Sequence, residues 1–315
     1  MKSTKLPKIF GKEKIDMIKG IDVTKKFDAL TALSDMNIHI KKGSVYGLVG
    51  PNGAGKTTFI KALMSVYKLD GGTLEIDGDL NICEEALKQR IVYISDDLYF
   101  FPTYSIKQTA KFYASVYENW DEETFRKLQE IFKIDLNRKV RKLSKGMKKQ
   151  VAFMMGISAK PDIMVLDEPV DGLDPVMRRN IMNVILQEVE ARNMTVLISS
   201  HNLRELEDIC DHVGIMHNGK VVIEKSLDDV KGNIHKLQLA FSEPAPEDFE
   251  GSFEILHKDK FGSVRQYIIR GNSEEIMAKA REFEPILLDL LPLSLEEVFI
   301  YELGGMGYEL KNEIL

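Results

Sequence analysis

Apolar residues first come in short alternating or continuous runs, at 18–23, 36–40 and 44–49, and that spacing predicts three strands. The period then changes at once. From Thr57 the residues Phe59, Ile60, Leu63, Met64 and Tyr67 recur on one face of a helix that stops before the turn residues Asp70, Gly71 and Gly72. A further strand, 73–76, closes at Asp77-Gly78. Between about 98 and 158 the texture shifts to long helical patterns rich in Lys, Glu, Phe and Tyr, with Ser105 as the N-cap of the first, so this stretch reads as a helical insertion. Alternation of strand and helix then resumes: an apolar strand at 163–166, a helix at 176–192, a buried strand at 195–199 and a helix at 203–208. Such alternation predicts an α/β core built on a mostly parallel sheet.

The pattern breaks again at 226–232. The chain beyond that break has strands of its own, 237–241 and 264–269, the second preceded by a turn at 259–262. Ser294 and Glu297 form a capping box for a last helix, 295–303, with Gly304 beyond it as a stop. The chain therefore divides into an N-terminal extension, 1–15, a main domain, 16–232, and a small C-terminal α+β accessory domain, 233–315.

Composition narrows the class. Hydrophobic residues make up 44% and charged residues 29%, the balance of a globular protein. Forty-three basic against forty-nine acidic residues leave a net charge of -6, which gives the whole chain no electrostatic reason to seek nucleic acid or anionic lipid. No run reaches the roughly 18 apolar residues of a spanning helix, and the basic N-terminus lacks an apolar leader core, so a cytoplasmic location is expected. Cys83 and Cys210 lack metal-ligand spacing and read as thiols in a reducing compartment. The six histidines are scattered and suggest no zinc site.

The strongest chemical signal is GPNGAGKTT, residues 50–58, which matches G-x-x-x-x-G-K-[ST] between a strand and a helix. Its glycines let backbone N–H groups of Asn52, Gly53, Ala54, Gly55 and Thr58 turn toward phosphate oxygens, and the helix N-terminus adds a positive end. Lys56 supplies a point charge for the β- and γ-phosphates of a nucleotide, and the Thr57 hydroxyl a ligand for Mg²⁺. A second half of the site lies in IMVLDEP, 163–169, where a buried strand ends in Asp167, a candidate for the Mg²⁺ shell, followed by Glu168, placed to accept a hydrogen bond from an attacking water.

With these in place the chain resembles an ATP-binding cassette (ABC) ATPase, because two further motifs occur in the family's order over about residues 16–232. LSKGMKKQ, 143–150, is similar to the signature loop, and ISSHNL puts His201 where the family has its switch histidine. DGLDP, 171–175, resembles the D-loop, and Phe27 stands where the family has an aromatic that stacks on adenine. The resemblance implies a P-loop NTPase core, ATP and Mg²⁺ as ligands, and two subunits meeting head to tail. Ser144 and Gly146 of one subunit then cap the ATP of the other, Glu168 polarises the water, His201 contacts the γ-phosphate and Asp174 links the two sites. Ser144 and Gly146 open a helix beside six cations within 139–149, a field suited to phosphate or simply a solvated basic face.

Within the family, the single cassette, the SLEEVF stretch, 294–299, and the small last domain look like ATPase subunits of ABC-2-type exporters. That implies integral-membrane permease partners, a homodimer or heterodimer of ATPase subunits, and a peripheral position on the cytoplasmic face of the membrane. No nucleic-acid partner is expected. A soluble cassette acting on ribosomes or DNA, and a nucleotide-gated protein with little turnover, are the other classes open to these motifs. The chain departs from the family's pattern where a Gln is usual after the strand near 90–94: alignment puts Asp96 there, beside Mg²⁺ and with added negative charge, and makes Asp97 a solvent-facing turn residue. Leu98, Tyr99, Phe100 and Phe101 then fall where the family has its permease groove, or pack the insertion's core.

Overall fold

The computed structural model describes residues 15–80, 82–227, 229, 234–242, 246 and 248–305. The N-terminal extension expected at 1–15 thus lies outside the described residues, apart from Ile15.

The chain begins with two long antiparallel strands, Asp16–Phe27 (β1) and Leu30–Lys41 (β2). Next come the fully buried strand Val45–Val49 (β3), the helix Lys56–Leu63 (α1), the strand Gly71–Ile76 (β4), the short helix Glu85–Gln89 (α2) and the strand Ile91–Ile94 (β5). Three helices form the insertion: Ile106–Val116 (α3), Glu122–Phe132 (α4) and Lys145–Ser158 (α5). Each starts where an oxygen-bearing side chain meets the free N–H groups of the first turn: Ser105 in a capping box with Gln108, then Asp121, then Ser144. After them come Ile163–Asp167 (β6), Pro175–Arg192 (α6), Thr195–Ser200 (β7), and the hairpin His212–His217 (β8) and Lys220–Ser226 (β9). The last part holds Ile234–Ala240 (β10), Glu254–Phe261 (β11), Val264–Arg270 (β12), Ser273–Arg281 (α7), Leu287–Leu291 (β13) and Leu295–Gly305 (α8).

These strands make three sheets. A six-stranded sheet runs β5-β6-β7-β3-β8-β9, parallel except for the antiparallel β9 edge. Every residue of β3, β6 and β7 is buried, as strands covered on both faces must be, which is why they read as continuous apolar runs. A three-stranded antiparallel sheet, β2-β1-β4, drives Ile18, Met36, Ile38, Ile40 and Ile76 into one core with Phe59 and Ile60 of α1. The third sheet, β11-β12-β10-β13, is antiparallel and closes over Phe249, whose ring meets those of Phe253 and Phe283 at 5.0 and 5.1 Å.

Two predicted elements come out differently. The helix expected at 203–208 is a single 3₁₀ turn, Leu203–Glu205. Asn202 accepts from the Arg204 N–H, and the Asp211 N–H donates to the Val45 carbonyl, so side-chain capping and the pull of the sheet end the turn early. The last helix does not stop before Gly304 but runs through Gly305, a glycine in a final turn being a modest cost. β11, β13 and α7 were not expected at all. Most of β11 faces solvent, and its sequence EILHKDKF lacks the alternation that marks a strand.

Helix α5 is the spine that ties the insertion to the sheet. From Val151 to Ser158 it is buried throughout, and it packs against α4 and β5. Phe153 is fully buried there. Replacing Phe153 with Ala is expected to cost about 3–5 kcal/mol of stability, read as a lower urea midpoint with an unchanged slope.

Candidate active site

The site grows from the C-terminal ends of three adjacent parallel strands, β6, β7 and β3, where ligands of open α/β sheets bind. Beyond Val49 the chain turns through Gly50–Gly55 into α1. Gly55 has φ +108°, and a Cβ there would come within 2.7 Å of the Ala32 carbonyl, so no other residue fits. Lys56, almost fully buried, bends back over the loop and donates from Nζ to the carbonyls of Gly50 at 2.6 Å and Pro51 at 3.2 Å. Burial pushes its pKa down, and the charges of Glu168 and Asp167 oppose that.

Asp167 is the last residue of β6 and is only 3% exposed. A carboxylate so buried needs donors, and two hydroxyls supply them: Ser199 Oγ of β7 at 2.5 Å and Thr57 Oγ1 of α1 at 3.3 Å. Tyr93 of β5 is also drawn into this charge; burial first, then the Asp167 carboxylate, pushes its hydroxyl pKa well up. Glu168 follows with φ +47°, a backbone region that an L residue holds only when its surroundings insist. Its N–H donates to Ser199 O at 3.2 Å and Ser199 Oγ at 3.1 Å. This turn brings Glu168 Oε1 within 3.6 Å of Lys56 Nζ and Oε2 within 2.9 Å of His201 Nδ1.

A cavity of about 550 Å³ opens over these groups, within the size range of small-molecule sites. Asn52, Gly53, Ala54, Gly55, Lys56, Thr57, Thr58, Asp96, Asp167 and Glu168 line it, and Phe27 stands at its rim. The Phe27 ring meets Tyr67 edge-on at 5.1 Å and has Lys25 Nζ 5.2 Å from its centroid, which leaves it braced but 37% exposed. Asp96 lines this cavity, yet its carboxylate is ion-paired, with Oδ1 3.3 Å from both Lys145 Nζ and Lys149 Nζ. Burial alone would raise the Asp96 pKa, but the two lysines outweigh it and hold the carboxyl below the usual carboxylate range. The negative charge expected at this position is therefore largely offset. Asp97 is exposed, and its carbonyl accepts from Ser95 Oγ at 2.6 Å.

The other sequence-derived residues gather elsewhere. Ser144 caps α5, its hydroxyl accepting from the Met147 N–H at 3.2 Å, and Asp174 caps α6 by accepting from the Met177 N–H at 2.9 Å. A Cβ on Gly146 would lie 2.9 Å from the Gly172 carbonyl, so this glycine lets the two loops touch. Ser144, Gly146 and Asp174 line a second cavity with Gly172 and Leu173, separate from the one over Lys56. The sequence-derived residues thus divide between two cavities.

Sequence reasoning missed Ser199, Lys149 and the Asn218-Gly219 turn. Ser199 was read only as the end of a buried strand, although a serine closing an apolar run is itself a sign of a buried polar partner. Lys149 was one of six cations in a row, and nothing in the row separates it from the others. Asn218-Gly219, the turn of the β8–β9 hairpin, also lines the cavity, brought there by the sheet. Asp171, which the sequence places at the start of the D-loop stretch, comes within reach of Glu168 and His201, the three offering ligand atoms within 4.8 Å of one another. The apolar residues after Asp97 divide: Leu98 and Phe100 pack against the core, while Tyr99 is 81% exposed and Phe101, 43% exposed, meets the exposed Phe112 at 5.4 Å.

A phosphate loop at the C-terminal edge of a parallel sheet, acids ending the next strand but one, and a capped helix that opens on a second cavity define an ATP-binding cassette. The chain belongs to the ATP-binding proteins of ABC transporters. The family model described as "ABC transporter" matches residues 33–171. The ABC transporter ATP-binding protein YtrB of Bacillus subtilis is 32% identical over 290 residues, covering 92% of this chain and 99% of its own. The bacitracin transport ATP-binding protein BcrA of Bacillus licheniformis is 30% identical over 302 residues, covering 92% and 98%. Among solved structures, an ATP-binding subunit of an ABC transporter is similar with a TM-score of 0.63 and 26% identity, over 68% of this chain and 92% of that one. The protein is an ATPase of this transporter class. No helix among the described residues is long and apolar enough to cross a membrane.

Ser199 makes a prediction of its own. Ser199→Ala removes a hydrogen bond to a buried carboxylate, which is expected to cost about 1.5–3 kcal/mol of stability. ATP turnover should fall with it, since Asp167 loses the hydroxyl and the Glu168 N–H keeps only the Ser199 carbonyl; thermal unfolding and a steady-state assay would read both.

Proposed function

We propose that this chain is the ATP-hydrolysing subunit of an exporter, that it energises separately encoded permease subunits, and that it works as a head-to-tail pair on the cytoplasmic face of the membrane. The observation that carries this reading is the contact of Glu168, which lines the phosphate-loop cavity with Lys56, with both Lys56 and His201. The bacitracin transport relative matches over nearly its whole length, which supports a role in transport.

Each residue has a task in that reading. Phe27 stacks on the adenine, and the N–H groups of 52–58 together with Lys56 bind the β- and γ-phosphates. Lys56 must leave the Gly50 and Pro51 carbonyls to do so, and the triphosphate offers it a stronger, charged acceptor. The hydroxyl of Thr57 beside the carboxylate of Asp167 is a hard oxygen donor set that fits Mg²⁺. That ion would supply positive charge to the triphosphate oxygens. Glu168 accepts a hydrogen bond from the attacking water and orients it toward the γ-phosphorus, while His201 holds the Glu168 carboxylate and contacts the γ-phosphate. Ser144 and Gly146, at the positive end of the fourteen-residue α5, cap the γ-phosphate held by the partner subunit. Asp174 stands at that interface. Because Glu168, Ser144 and His201 are all present, a homodimer forms two competent sites; pairing with a degenerate subunit uses one. Tyr99, Phe101 and Phe112 supply the exposed apolar patch for the permease.

Glu168→Gln is expected to lower ATP turnover by about a hundredfold or more and to trap an ATP-bound dimer visible by size exclusion. Undiminished hydrolysis would refute Glu168 as the base. Phe27→Ala should raise the KM for ATP by about two- to tenfold through lost stacking, with kcat nearly constant. Affinity purification from the native membrane should bring down a multi-spanning membrane protein, and Phe101→Asp should release it.

A further inference from the structure

Lys149 is a cation that the mechanism above does not use. It sits in the second turn of α5 with its side chain fully buried, and its Nζ donates to the Glu168 carbonyl at 2.7 Å. A buried ammonium bound to one carbonyl is costly unless an opposite charge lies beside it. That charge is Asp96 Oδ1, 3.3 Å away, on the loop after β5. The residue at the other end of this contact is the unusual one: Glu168 holds φ +47°, with its N–H tied to Ser199 on β7 and its carbonyl tied to Lys149 on α5. Two elements, β7 and α5, thus hold the two peptide groups that flank the Cα from which the Glu168 carboxylate projects.

We propose that Lys149 is a positioning residue for Glu168 and that Asp96 acts as its counter-ion rather than as a ligand of the nucleotide-bound metal. The ammonium fixes the Glu168 carbonyl and so keeps the carboxylate aimed at Lys56 and His201. Asp96 makes that buried ammonium tolerable. Neither group is useful alone: an amide at position 96 would leave Lys149 buried without a counter-charge, and loss of Lys149 would leave the Asp96 carboxylate with only the exposed Lys145. The loop after β5, the signature helix and the hydrolytic base are joined in one chain of contacts, so a shift of that loop acts on the base through Lys149.

This inference rests on Glu168 being the base, and the test separates the two. Lys149→Gln, Asp96→Asn and the double variant are made in the full chain, and each is measured for kcat, KM for ATP, the Mg²⁺ midpoint of turnover, and nucleotide-free thermal unfolding. Each single variant is expected to lower kcat by about tenfold, with KM and the Mg²⁺ midpoint moving less than about twofold and the unfolding temperature falling by a few degrees. The double variant should be no worse than the worse single one, because the pair is lost together. If both single variants fail to fold and the double variant folds, the charge pairing stands. Multiplying losses, a double variant that alone fails to fold, unchanged kcat in Lys149→Gln, or a Mg²⁺ midpoint moved by Asp96→Asn and not by Lys149→Gln would overturn the proposal. Full turnover in Glu168→Gln would defeat the reading of the base, while non-additive unfolding temperatures would still establish the pair.

Discussion

A carboxylate held out of water at the end of a fully buried strand is the constraint on which the rest of this site depends. Asp167 can be held there only if donors surround it, and the fold provides them from both neighbours: a hydroxyl from the helix after the phosphate loop and a hydroxyl from the next strand of the sheet. Those two contacts lock α1 and β7 to β6. They also fix where the chain must turn next, since the Glu168 N–H shares Ser199 with Asp167. The geometry at the phosphate loop and the geometry of the glutamate are consequences of satisfying one buried charge.

The second organising element is α5. Its first turn, capped by Ser144, opens on a cavity separate from the nucleotide cavity, its second turn sends Lys149 to the back of Glu168, and its remainder is buried against the sheet. A rigid helix that touches both half-sites transmits displacement better than a loop would, because its internal hydrogen bonds leave it few ways to deform. The exposed aromatics Tyr99, Phe101 and Phe112 belong to the same insertion.

The last sheet shares the main core with this machinery, through Ile234, Ile268 and Leu293 as well as the last helix. Leu295 and Val298 of α8 are buried in the same core as Leu203 and Leu206, and Arg204 pairs with Glu296 at 2.8 Å. Leu203 and Arg204 come within three residues of His201. The 3₁₀ turn that stands where a helix was expected is thus held from both sides, by Asn202 and by α8.

Much of the nucleotide half-site was legible in the residues, since a phosphate loop needs glycine, lysine and a hydroxyl at set spacing, and a buried apolar strand ending in Asp-Glu announces its acids. Phe27, Asp96 and the capping pair Ser144 and Gly146 came from the family resemblance, and the structure supplied their surroundings. Ser199 and Lys149 were not legible, because a serine in a strand and a lysine in a basic run have ordinary explanations until their partners are known. The edges of the last sheet escaped for a related reason: half-exposed strands carry charges that erase the period. Local spacing alone determined the phosphate loop, the buried strands and the capped helices, because each depends on neighbours a few residues apart. Which buried polar groups face one another, with Lys149 behind Glu168 and against Asp96, was decided only by the tertiary structure, since those groups come from elements 19 to 53 residues apart that meet through the packing of α5 on the sheet.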